Sequence, residues 1–80
     1  MEKIDLQVIG NRIQKLRKYV DITQTELGNR VGVSRQMISR YESGYASEAL
    51  RRRETLEKIA NALSVTVKEL LKGVALRQQM

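Results

Sequence analysis

The stretch Gln24 to Ser43, QTELGNRVGVSRQMISRYES, constrains the fold more than any other part of this chain. It reads as two short helices joined by a turn so tight that several positions are fixed at once. Leu27, Val31, Val33, Ile38 and Tyr41 supply the apolar contacts that would hold two crossing helices together. Gly28 falls where the helices come closest, and a larger side chain there would push the second one away. Gly32 takes the corner, where a left-handed residue is needed and a Cβ is costly. Ser34 restarts a helix as its N-cap. This is a helix-turn-helix pattern, whose second helix is suited to the DNA major groove.

Eighty residues are expected to form one domain over 1–80, with a core of about 5–73 and a tail at 74–80. A chain of this length buries roughly 60% of its surface, so a small, all-helical and locally connected core is expected. There is no cysteine and no histidine. Disulfides, thiolate chemistry and the commonest metal ligand are therefore absent, and no cofactor or metal is expected. No apolar run approaches the roughly 20 residues of a membrane span, and the N-terminus has no secretory pattern. A cytoplasmic location with no membrane partner is the expectation. Fifteen basic against nine acidic residues give a net charge of +6, which favours a polyanionic partner; the plainer alternative is charge for solubility. Between Ser34 and Arg53 five arginines stand against two glutamates, the steepest local excess.

Helical spacing organises the rest. Ile9, Ile13, Leu16 and Val20 form one apolar stripe, predicting a first helix from about Asp5, its N-cap, to Tyr19. Thr23-x-x-Glu26 is a capping box that opens the second helix. The third runs from about Arg35 to Ser43 and ends at Gly44. Leu56, Ile59, Ala60 and Leu63 mark a fourth; either Ser47 caps a helix beginning at Glu48, or a loop persists through Arg51 to Arg53. Thr66-x-x-Glu69, with Leu70, Leu71 and a terminating Gly73, marks a fifth.

With five helices in this order the chain resembles the XRE family of bacterial and phage regulators, the group containing Cro and the phage repressors. The resemblance covers about Ile9 to Lys72 and rests on IGNRIQKLRK, ITQTEL, VGVSRQMISRYESG and TLEKIANALSVTVKELL standing in register. It implies an all-α, five-helix fold of the lambda-repressor type. Three departures stand out. The stretch between Gly44 and Thr55 is longer than usual and lacks a proline. Arg53 occupies an expected apolar position, which Leu50 would fill instead. Ser64 stands where glycine is common.

In a helix starting at Arg35, residues Arg35, Gln36, Ser39 and Arg40 share the outer side while Ile38 and Tyr41 turn inward. Arginine can grip guanine O6 and N7, and glutamine adenine N6 and N7; a merely solvated polar face is the plain alternative. The resemblance also assigns base reading to Arg35, Gln36 and Arg40. Met37 could meet a thymine methyl or lie half-buried against the second helix. Gln24 opens the second helix, where free N–H groups favour phosphate; in similar proteins this glutamine holds a phosphate and steadies the first reading side chain. Thr23 and Ser34 are caps whose hydroxyls could also reach the DNA backbone. Ser43, Tyr45 and Arg51 to Arg53 follow the reading helix where relatives touch phosphate, although a run of arginines can equally be a solvated face. Similar proteins pair an arginine late in the first helix with a glutamate ending the third, here Arg17 and Glu42, as a structural salt bridge.

The resemblance implies a transcription regulator, expected to repress by occupying a near-palindromic operator of double-stranded DNA as a homodimer. Val67, Leu71, Val74 and Leu76 offer apolar area for that dimer, or complete the protomer core. An antitoxin with a toxin partner is the alternative. RNA alone is disfavoured because the A-form major groove excludes a reading helix. An enzyme is not expected, since there is no plausible nucleophile–base pair, metal set or glycine-rich phosphate loop.

Overall fold

A stripe of isoleucines one turn apart turns the start of the chain into a helix with one buried side. In the computed structural model, which describes residues 6–45 and 47–72, this is α1, Leu6–Tyr19, with Ile9 and Ile13 wholly buried. Asp5, Gly73, Val74 and Leu76, to which the sequence assigned a cap, a terminator and dimer contacts, lie outside the described residues. Helix α2, Gln24–Val31, starts at a complete capping box: the Glu26 N–H donates to the Thr23 hydroxyl, and the Thr23 N–H to the Glu26 carboxylate. It stops at Gly32, whose φ of 93° is left-handed. Helix α3, Arg35–Ser43, is capped by the Ser34 hydroxyl, which accepts from the Met37 N–H.

The five expected helices are accompanied by one further helical turn. Ser47–Leu50 forms α4, and α5, Arg53–Ala62, follows after a break at Arg51 and Arg52. The physical reason is Leu50, which is completely buried. Burying a leucine side chain is worth roughly 1.5–3 kcal/mol and anchors this otherwise polar segment on the core. Leu50 thus takes the apolar place that Arg53 cannot, and α4 packs on α5. The arginine run does not lie on a single helix: Arg51 and Arg52 form the corner, Arg53 opens α5, and all three are exposed.

Ser64, in the link after α5, has a φ of 61°, a left-handed conformation that favours glycine. Helix α6, Val67–Leu70, begins where the Thr66 hydroxyl accepts from the Glu69 N–H. Leu70 is fully buried, while Val67 and Leu71 are half-buried against the core.

The core gathers Ile9, Ile13, Leu27, Ile38, Leu50, Ile59, Leu63 and Leu70, all fully buried. Helix α1 lies across α3 and also meets α6, while α2 packs on α3 and α5. Helix α3 is thereby supported from behind by α1 and α2, leaving its other side outward.

Candidate nucleic-acid interface

Two glycines determine how closely α3 is seated. A Cβ on Gly28 would fall 2.6 Å from the Val33 carbonyl oxygen, and one on Gly10 would fall 2.5 Å from the carbonyl oxygens of both Tyr41 and Glu42. Gly28 was legible in the turn motif. Gly10 was not singled out from sequence, although a glycine beside Ile9 and Ile13 in an apolar stripe is a signal of close backbone approach.

With its back fixed, α3 exposes Arg35, Gln36 and Arg40 to solvent, with Ser39 half-buried at the margin. Ile38 and Tyr41 are buried, as the helical spacing requires. Met37 stands 36% exposed, partly covered at the edge of the outer surface. Burial raises the pKa of the Tyr41 phenol above its ordinary 10.0, because the charged form would lose its water.

The start of α2 lies beside this edge. Its capping box occupies the N–H groups of Thr23 and Glu26, and the Leu27 N–H bonds the Thr23 carbonyl. The N–H groups of Gln24 and Thr25 are left at the positive end of the helix dipole. Around them an open recess is lined by the basic residues Arg17, Lys18 and Arg35, by Thr23, Gln24 and Thr25, and by Asp21 and Ile22 from the preceding bend. Lys18 and Thr25 were not anticipated there; their place follows from the bend between α1 and α2, where Asp21 adopts a φ of 62°.

The flanking residues differ in what they can offer. The Thr23 and Ser34 hydroxyls accept a cap bond through oxygen, so each hydrogen can still be donated outward and capping does not exclude phosphate. Ser43 is different: its hydroxyl donates to the carbonyls of Ser39 and Arg40, at 3.0 and 3.2 Å. In this rotamer it has no hydrogen for a phosphate. Tyr45 is 78% exposed, and Arg51 is exposed at the α4–α5 corner.

Behind the edge lies a buried ion pair. The Arg17 Nε donates to Glu42 Oε2 at 2.6 Å and its Nη2 to Oε1 at 3.3 Å, while Nη1 reaches the Ile22 carbonyl at 2.9 Å. Both residues are more than nine-tenths buried. The pair ties α1 to the end of α3 and to the loop leading into α2. Glu42 also accepts from Gln24 Nε2 at 3.0 Å and Gln14 Nε2 at 3.4 Å.

A bracing pair of helices, a glycine corner and a projecting arginine-bearing helix define a DNA-binding domain of the helix-turn-helix class. The helix-turn-helix family model HTH_3 matches residues 13–70, and the chain belongs to this family of XRE-type regulators. Over 62 residues, 78% of the chain, it is 37% identical to the transcriptional repressor RstR of the cryptic phage CTXphi from Vibrio cholerae, covering 53% of that protein. A 40-residue stretch, 50% of the chain, is 50% identical to antitoxin PezA of Streptococcus pneumoniae and covers 25% of it. The solution structure of the P22 c2 repressor DNA-binding domain superposes with a TM-score of 0.75 at 36% identity, covering 88% of each chain. The same repressor in complex with a synthetic operator gives 0.66 at 40% identity, covering 81% of this chain and 94% of that one. The chain spans between 25% and 58% of the length of the curated relatives it matches. No helix among the described residues is long and apolar enough to cross a membrane.

Proposed function

We propose that this protein is a sequence-specific regulator that represses transcription by occupying a near-palindromic operator as a twofold dimer. The observation that carries the reading is the exposed edge of α3, with Arg35, Gln36 and Arg40, set beside the uncommitted N–H groups at the start of α2. Arg35, Gln36 and Arg40, with Ser39 at the margin, read base edges in the major groove. Thr23, Gln24, Ser34, Tyr45 and Arg51 hold phosphates on either side; Ser43 joins them only after its hydroxyl turns out from its own helix.

Each reading contact contributes discrimination of about 1–3 kcal/mol, while phosphate contacts supply most of the affinity. One module of this size buries too little surface for tight selective binding. Two copies on one face of the duplex, with half-sites about 34 Å apart, meet the need. In this reading dimerisation uses the half-buried Val67 and Leu71, with Val74 and Leu76 further along the sequence as additional apolar residues.

Selection of bound duplexes from a random pool tests the reading, reporting specificity, symmetry and half-site spacing together. Arg35→Ala and Gln36→Ala are each expected to relax the selected motif at one position per half-site with the helical circular dichroism unchanged. If both variants select the wild-type motif, the readout assignment is wrong. The similarity to an antitoxin over 40 residues supports a second reading, in which the same domain also serves a toxin-neutralising protein. Co-purification of a small partner encoded beside it would favour that one.

A further inference from the structure

We propose that Glu42 is a positioning residue for base choice at Arg35, acting through the side-chain amide of Gln24; this rests on the readout reading above. A carboxylate paired with a guanidinium can only accept hydrogen bonds. The end of the Gln24 amide that lies 3.0 Å from Glu42 Oε1 must therefore be the nitrogen.

With Nε2 held inward, Oε1 of Gln24 faces outward, and it is the atom that meets Arg35 Nη1 at 3.5 Å. The contact is long and contributes little energy by itself. Its direction is what matters. An outward oxygen attracts the guanidinium and restricts its swing, whereas an outward NH2 would place donor against donor and drive it away. Glu42 is more than nine-tenths buried, held by two bonds from Arg17, and seated at the end of α3 where its backbone lies close against Gly10. Gln24 is half-buried and Arg35 exposed. A rigid buried acid thus sets the polarity of an intermediate amide, and the amide sets the approach of a mobile reading side chain. Exchanging the carboxylate for a group that both donates and accepts would let the amide flip and free Arg35.

The test is position-resolved selection on the full chain. Arg35→Ala first identifies the base pair that Arg35 reads; if no position changes, the readout reading fails and takes this proposal with it. Gln24→Met keeps the Arg17–Glu42 pair and removes the intermediate. It is expected to lower discrimination at that base pair on the order of ten-fold while preferences elsewhere in the half-site persist. Glu42→Gln is expected to lower discrimination at the same position, with no further loss there in the Gln24→Met background. Should Glu42→Gln fail to fold, the double variant Arg17→Gln/Glu42→Gln leaves no buried charge unmatched and still removes the acceptor-only carboxylate; the same one-position loss is expected. If these Glu42 variants weaken binding to all duplexes by a common factor and select the wild-type motif, Glu42 is only a prop and the proposal is overturned.

Discussion

Gly10 and Gly32 answer to opposite demands. Gly32 needs only its left-handed backbone: a Cβ there meets nothing within 4 Å. Gly10 has ordinary helical geometry but no room. Gly32→Ala should therefore cost about 1–2 kcal/mol from conformation alone. Gly10→Ala should cost about 1–3 kcal/mol from overpacking and also shift α3, so DNA affinity falls by more than the loss of stability explains. Denaturant unfolding alongside duplex titration separates the two. Tyr41 supplies a pH prediction. Its phenol binds its proton more tightly in the folded chain than in the unfolded one, because burial disfavours the phenolate. The corresponding stability is complete below a pH of about 10 and is lost as pH rises through the higher folded value. Tyr41→Phe should lack that part of the alkaline decline, as thermal melts at increasing pH would show.

At the level of elements, what could be read from sequence was what local chemistry writes. Thr23 with Glu26, Ser34, Gly32 and Gly44 fix the ends of α2 and α3 through contacts within a few residues, so these boundaries followed from the chain alone. Thr23→Ala removes the hydroxyl that accepts the Glu26 N–H and should lower stability by about 0.5–2 kcal/mol, measured by chemical denaturation. For α4 the sequence left two paths open, a helix from Glu48 or a loop through Arg53, because the choice for Ser47–Leu50 depends on Leu50 reaching a core assembled from distant helices. The candidate interface divides the same way. The outer positions of α3 followed from its period, whereas the recess at the start of α2 drew in Lys18 and Thr25 through the bend at Asp21. The bond between Gln24 and Glu42 spans 18 residues, and no spacing rule foretells it.

For the whole molecule, charge and shape must be considered together. A chain with a net charge of +6 should bind duplexes with log K falling linearly against log salt, by about 0.9 for each phosphate neutralised. Arg51→Ala should reduce that slope by about one phosphate and leave the selected motif intact, which titrations at several salt concentrations would establish. Not every cation is available for this, however. Arg12 Nη2 donates to the Glu69 carbonyl and Arg30 Nη1 to the Ala62 carbonyl, each at 3.0 Å, while Arg17 is buried against Glu42. These three act as rivets between helices, and a guanidinium can do so because its donors are planar and fixed. Swapping them for lysine would preserve every unit of formal charge yet loosen the joints, so an electrostatic map drawn from composition alone would misjudge both the scaffold's rigidity and the grip it can exert.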